Sequence, residues 1–244
     1  EEKSESTDSS RTYEKKNARY ISATDPDASL VNRGQSKLRY QVHRAVDPQS
    51  EIITATQATP GDVNEAHLLI PLLQQQEEIT DLPTEIVVAD SKYGTIDNFL
   101  ACHDRGLQAH IPDLREAAAQ RSQKRRIFSE ESFSYDPESD TYRCPAGTLL
   151  KPKSLHLSRQ SQDYAAPRKV CAACSLRKQC TPNQSGRTIK RHLRQSDLDR
   201  MREASRSLRA RRDLQTRKHL MERSFARSKR YGFDRARWRG LWRM

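Results

Sequence analysis

Glu85-Ile86-Val87-Val88-Ala89-Asp90 reads as a short apolar strand that ends on an acid. Three β-branched residues in succession favour a pleated, buried backbone, and in open α/β sheets ligands gather at the carboxyl ends of strands, where Asp90 falls. Taken alone, Asp90 is more readily a cap for the turn Ser91-Lys92-Tyr93-Gly94 than a ligand. A second acid gives it meaning. Glu222 sits in Met221-Glu222-Arg223-Ser224-Phe225-Ala226-Arg227-Ser228-Lys229-Arg230, a helix crowded with cations. Positions 218, 222, 225 and 229 share one helical face, so Lys218 and Lys229 bracket Glu222 and could hold a phosphate beside a metal-bound carboxylate. Alone, Glu222 is a surface ion-pairing residue. A two-metal site clamps its ions about 4 Å apart between several carboxylates, and two acids are one short.

Outward from the strand, the pattern predicts a mixed α/β layer. Leu38 to Val46 and Ile52 to Thr56 flank Asp47-Pro48-Gln49-Ser50 as an antiparallel hairpin. Asp62 with Glu65 is a capping signature, and Ala66, Leu69, Ile70 and Leu73 continue it as a helix over 63–77. After Asp90 come a helix over Ile96–Asp104 stopped by Gly106 and a strand over Leu107–Ile111. Phe133 to Cys144 forms a second hairpin around Asp136-Pro137. Ser196 with Asp199 caps a long helix carrying Leu198, Met201 and Leu208, and a further helical stretch carries Leu214, Leu220 and Phe225. The domain reading is a polar linker over 1–34, a first part of the core over 35–113, an insert over 114–195 and a basic helical segment over 196–244.

The insert holds four of the five cysteines, Cys144, Cys171, Cys174 and Cys180. Cys171-Ala-Ala-Cys174 lets two sulfurs reach one ion from a tight turn, and four thiolates suit a closed, tetrahedral Zn2+ site that holds a small subdomain together. Disulfides and four unrelated thiols are the alternatives. Cys102, inside an apolar helix, reads as a small buried residue.

A hydrophobic fraction of 34% and a mean hydropathy of −0.96 leave material for one core with appendages. No run approaches the roughly 18 apolar residues of a bilayer span, and the polar start lacks a signal-peptide stretch, so a soluble, cytoplasmic protein is expected. The net charge is +12, and residues 181–244 hold 20 Lys and Arg against 6 acids. Phe225, Tyr231, Phe233, Trp238 and Trp242 interleave with those arginines. That combination points to nucleic acid rather than to a merely solvated face.

Four blocks carry a family resemblance. Val87-Val88-Ala89-Asp90-Ser91-Lys92-Tyr93 resembles the second-aspartate block of insertion-sequence DDE transposases. Glu222 with Lys229-Arg230, Gly232-Phe233 and Arg239-Gly240-Leu241 is similar to their glutamate block. Thr24-Asp25-Pro26-Asp27-Ala28 and the cysteine insert beginning Tyr142-Arg143-Cys144-Pro145-Ala146-Gly147 resemble one branch of the same family. The resemblance implies a ribonuclease-H-like sheet, two Mg2+ (or Mn2+) ions at Asp90 and Glu222, and cutting and joining of transposon-end and target DNA without a covalent enzyme intermediate. It further implies double-stranded DNA contacts at Tyr93, Arg217, Lys218, Arg223, Lys229 and Arg230, self-association on DNA, and work at the prokaryotic nucleoid.

Two departures matter. The family's first aspartate ends a strand before the hairpin, and Asp25, Asp27, Asp47 and Asp62 all sit at turns or a helix start. The expectation is a chain that begins after that strand and is inactive alone. Upstream of Glu222, where related branches carry a Tyr and an Arg, stand Gln215 and Lys218, with Arg217 one place off. The rival readings are a non-enzymatic DNA-binding protein, either a decayed transposase or a zinc module with a basic tail, and a zinc-dependent RNA-binding protein.

Overall fold

The structure, a computed structural model, describes residues 21–31 and 37–243. Most of the expected linker, at 1–20 and 32–34, lies outside the described residues. The chain forms two compact units, one of Glu1–Pro83 with Arg217–Met244 and one of Thr84–Thr216. Both mix helices and sheet, so the fold is α/β, with two bodies where composition suggested one core with appendages.

The first unit opens with β1 (Ser29–Val31), a strand inside the stretch read as linker, followed by β2 (Lys37–Val46) and β3 (Ile53–Pro60). The order is β1-β2-β3, all antiparallel. The expected hairpin is present. Its turn closes because Asp47 Oδ2 accepts the Ser50 amide at 2.7 Å and Glu51 takes a positive φ of 58°. From Tyr40 to Val46, β2 pairs with β3 alone among the described residues. Helix α1 (Leu69–Thr80) lays Leu72 on Ala55, with Leu68 completing the cluster.

A 3-10 turn precedes α1, and its cap is Asn64, whose Oδ1 accepts the Ala66 amide at 3.1 Å, rather than Asp62. The reason lies in Gly61. A Cβ there would stand 2.2 Å from Val31 Cγ2, so the chain is pinned to the sheet at this point and turns only after Val63.

In the second unit, β4 (Ile86–Val88), α2 (Ile96–Asp104) and β5 (Gln108–His110) form a parallel strand pair with a crossover helix. Thr95 caps α2 by accepting the Asn98 amide at 3.3 Å, and Gly106 ends the turn beyond it with φ 69°. Phe99 and Cys102 are wholly buried, and burial pushes the Cys102 thiol pKa up to about 11. After α3 (Leu114–Lys124) comes a five-stranded antiparallel sheet built from β6 (Ser134–Asp136), β7 (Thr141–Arg143), β8 (Leu149–His156), β9 (Ser161–Ala165) and, beyond two short helices, β10 (Thr188–His192). Its order is β10-β9-β8-β7-β6. The short helices are α4 (Arg168–Ala172) and α5 (Arg177–Cys180).

Helix α6 (Gln195–Ser205) returns to the parallel pair, burying Leu198 and donating Ser205 Oγ to the Ala109 carbonyl at 2.6 Å. Ser196 does not cap it. The helix starts one residue earlier behind Arg194, whose guanidinium ties Asp104 at the end of α2 to Asp197 in the first turn of α6. A break at Arg206-Ser207 separates α6 from α7 (Leu208–Arg230), the longest helix.

Candidate catalytic and nucleic-acid sites

Asp90 stands two residues past β4, half-buried, with extended backbone (φ −80°, ψ 173°). Its Oδ1 accepts the Lys92 amide at 2.9 Å and so caps the 3-10 turn Ser91–Tyr93. The cap reading of this residue is therefore realised. One carboxylate oxygen is committed to that bond, which leaves the acid in a fixed rotamer. Tyr93 is half-buried, and its carbonyl accepts Asn98 Nδ2 at 2.9 Å. Gly94 must be glycine, because a Cβ would meet the Pro112 carbonyl oxygen at 2.4 Å.

The same strand ends hold two polar groups that sequence reasoning missed. Asp113, three residues past β5, is buried against Arg202, with Oδ2 3.2 Å from Nε in a contact whose angle falls outside hydrogen-bond geometry. Its Oδ1 caps α3 by accepting the Arg115 amide. A buried carboxylate matched by a guanidinium is structural, not a free ligand. His110, also buried, pairs through Nδ1 with Asp213 Oδ2 at 2.7 Å and anchors the start of α7. Neither pairing had a local sequence signal.

Glu222 belongs to the other unit, so the two acids are described each in its own frame. On α7 the positions Leu220, Ser224 and Ser228 turn inward, while Lys218, Glu222, Lys229 and Arg230 are exposed, and no ion pair engages any of these four among the described residues. The expected Lys218–Glu222–Lys229 face is thus open. Arg217 is half-buried and engaged. Arg223 is held by Glu51 of the hairpin turn, which also takes Arg227 at 2.8 Å.

Arg44 of β2 completes the seat of the helix. Its Nη1 donates to Ser228 Oγ at 2.7 Å and Ser224 Oγ at 3.1 Å, and its guanidinium lies 4.1 Å from the centre of the Phe225 ring. Burial lowers the Arg44 pKa.

The helix ends in a Schellman turn. Phe233 donates to the Ser228 carbonyl and Gly232, at φ 77°, to that of Lys229. Beyond it, two sequence blocks meet. Asp25 Oδ1 accepts both the Tyr40 hydroxyl at 2.6 Å and the Gly240 amide at 3.2 Å, and Asp27 Oδ2 accepts the Leu241 amide at 2.9 Å. Burial first, then Asp25, raises the Tyr40 pKa. The Thr24–Ala28 stretch is thus a clamp on Arg239-Gly240-Leu241, beside which Trp238 and Trp242 stand 62% and 78% exposed.

Cys144, Cys171, Cys174 and Cys180 come from three separate segments and line one small cavity of about 40 Å³, rimmed by Arg177 and Arg187. Cys144 opens a tight turn in which its carbonyl accepts the Gly147 amide at 2.8 Å. Gly186 presses on the cluster so closely that a Cβ would lie 2.9 Å from Cys171 Sγ. Burial raises the Cys180 pKa, Arg187 opposes it, and the other three cysteines add to it. All five cysteines are free thiols. Among the described residues, no three His, Cys, Asp or Glu side chains meet in an arrangement that holds a metal ion, so zinc at these thiols, though they share a cavity, has no ligating geometry behind it.

Among the described residues no helix is long and apolar enough to cross a membrane. No curated protein and no solved structure matches the chain. Residues 143–244, which hold Glu222 and all four clustered cysteines, match the family model described as Transposase DDE domain, and over that stretch the chain is similar to the DDE transposases.

Proposed function

We propose that the chain is the catalytic region of a DDE transposase that cuts and joins duplex DNA, with Asp90 and Glu222 as two of its three acids. The observation that carries this reading is the open Lys218–Glu222–Lys229 face of α7, inside the family match. Mg2+ or Mn2+, when bound by these carboxylates, would supply activation of the attacking oxygen and stabilisation of the leaving oxygen. The protein's own contribution is positional. The Lys92 amide fixes the Asp90 carboxylate, Arg44 and Glu51 fix α7, and Lys218 and Lys229 offer charge to the scissile phosphate. Tyr93, Arg217, Arg223 and Arg230 extend the DNA contacts.

The ribonuclease-H-like reading is supported by an antiparallel hairpin preceding a parallel βαβ pair that leads to Asp90. The reading that Asp25, Asp27 and Asp47 are not the third acid is supported by their place in turns, where Asp25 and Asp27 accept backbone amides and Asp47 accepts from Ser50. We therefore expect no strand cleavage by these residues unaided. The test is Mg2+-dependent nicking of a supercoiled plasmid by a chain supplied with a strand-borne aspartate ahead of the hairpin. Nicking should appear and be lost in Asp90→Asn and Glu222→Gln; nicking that persists in both would sink the assignment.

For the insert, the proposal is Zn2+ held by Cys144, Cys171, Cys174 and Cys180, supported by the donor chemistry and by the convergence of the four thiols on one cavity beside two arginines, which offset the charge of a tetrathiolate. Metal analysis of the purified chain should give one zinc, and Cys174→Ser should lose it. The reading places the protein on DNA in the prokaryotic cytoplasm, self-associated there. A non-enzymatic DNA-binding protein is the second reading, favoured by the capping role of Asp90.

A further inference from the structure

The insert is far more basic than the chain as a whole. Residues 143–194 carry 12 Lys and Arg against one acid, Asp163. Basic character thus begins at Arg143, well before the tail at 181–244 that composition first brings into view. Which way those cations point is settled by the register of the sheet.

On one face, Tyr142, Leu150, Tyr164 and Ile189 are buried with Phe133, and Cys171 and Cys180 of the short helices pack against them. Tyr142 pairs with Leu150, and Pro152 with Tyr164 and through it with Ile189, so this inner face is continuous. The neighbouring positions therefore face outward. Arg143 pairs with Leu149, Lys151 with Ala165 and through it Thr188, and Ser154 with Asp163 and through it Lys190. Lys153 is the residue passed over where the register shifts between Pro152 and Ser154. Arg143, Lys151, Lys153 and Lys190 are all exposed; Arg143 acts on Asp136 of the neighbouring strand, and among the described residues the three lysines make no ion pair. Two acids share this face among the described residues: Asp163 lies 3.3 Å from both His156 and Arg159, and Asp136 of β6, beside Arg143, accepts Ser139 Oγ at 2.7 Å.

We propose that this outer sheet face is a second nucleic-acid surface, one that grips the sugar-phosphate backbone of duplex DNA. Cations that outnumber the acids beside them repel one another, and a polyanion removes that cost. Lys151 and Lys190 are two strand spacings apart, roughly 10 Å, a span that on a duplex contains about six phosphates. The chemistry also selects among nucleic acids. Single strands are held by stacking on exposed aromatics, whereas here Phe133, Tyr142 and Tyr164 are buried and Tyr135 is covered by Arg191 at 3.8 Å. Lysines on a sheet read phosphates rather than base edges, so this grip is independent of sequence. The choice of DNA rests on the transposase reading, but the charge argument does not.

The test is duplex binding by the full chain across a salt series, with a duplex of arbitrary sequence. Replacing Arg143, Lys151, Lys153 and Lys190 by Gln should reduce the slope of log K against log salt by about 3.6, at roughly 0.9 for each phosphate no longer neutralised, and weaken binding at least tenfold at low salt. The matching Lys→Arg set at 151, 153 and 190 should keep the slope. Should the fourfold variant not fold, Lys153→Gln and Lys190→Gln singly should each lower it by about 0.9. A slope unchanged in all of these, or tighter binding of an RNA hairpin than of the duplex, overturns the proposal. Glu222→Gln separates the two readings. It should abolish nicking in the three-acid chain while leaving the salt slope untouched, so the insert surface can fail with the transposase reading intact, and the reverse.

Discussion

Asp90 caps a turn, the proposed function adds a cation to the same carboxylate, and the two roles can be pulled apart by one atom. Asn caps as well as Asp but carries no charge, whereas Ala does neither. Asp90→Ala should therefore cost about 1 kcal/mol in chemical denaturation, through the missing acceptor for the Lys92 amide, while Asp90→Asn should stay within a few tenths of wild type. Loss of stability in both would mean that the charge itself supports the fold. The capping role was legible in Glu85–Asp90, since a strand end and a turn start coincide there. The neighbouring Asp113 was not, because its identity as a buried partner depends on Arg202, 89 positions away in sequence. A carboxylate at a strand end is visible locally, but whether a guanidinium already neutralises it is a tertiary fact.

At the level of elements, the hairpin over β2 and β3, helix α2 and the hairpin over β6 and β7 follow from local pattern, whereas β8 and β10 do not. β8 reads Leu-Leu-Lys-Pro-Lys-Ser-Leu-His, and its alternation is broken by Pro152 and by the shift in register two residues on. β10 is a five-residue strand with three basic side chains, whose only buried apolar residue is Ile189. What holds these strands is the aromatic core they share, in which the Tyr142 ring lies 5.0 Å from Tyr135 and 5.1 Å from Tyr164. Asp140 is its polar anchor, with Oδ1 accepting the Tyr164 hydroxyl at 2.6 Å and the Tyr135 hydroxyl at 2.8 Å. Asp140→Ala leaves both hydroxyls without that acceptor and should destabilise the insert by about 2 kcal/mol, measured by the loss of tyrosine near-UV dichroism on heating. Gly186→Ala acts on the opposite side of the sheet's core. At φ 90° and with an added Cβ 2.9 Å from Cys171 Sγ, it should, if the cysteines hold zinc as proposed, lower the metal content of the purified chain more than the Tm of the rest, and equal metal in both proteins would remove Gly186 from the cluster.

For the whole molecule, charge is the organising quantity, and it was only partly legible. The net +12 and the basic stretch from Arg143 onward can be counted in the sequence, but that the insert's sheet points its lysines outward emerges only from the strand register. Acids that bridge elements oppose the repulsion such a charge creates, and Asp104 is one of them, tied through Arg194 to Asp197. The Arg194 guanidinium first, then His103, hold the Asp104 carboxyl down at about 2, against an ordinary 3.8. A depressed acid contributes stability that is fully present above pH 3.8 and lost as pH falls through about 2. Asp197, lowered by the same Arg194, moves in the same direction. In that window every carboxylate that takes a proton also raises the net positive charge, so self-repulsion grows as the ties between α2 and α6 loosen. The Tm should fall between pH 4 and 2, more steeply at 20 mM than at 300 mM salt, because repulsion is screened and the paired groups are less so. Arg194→Gln should flatten the pH dependence by removing the cause of the Asp104 shift, while lowering Tm modestly at pH 7. A slope that is the same in Arg194→Gln and wild type would move the acid sensitivity to other carboxylates, with Asp47 and Asp136, both lowered by serine hydrogen bonds, the next to replace.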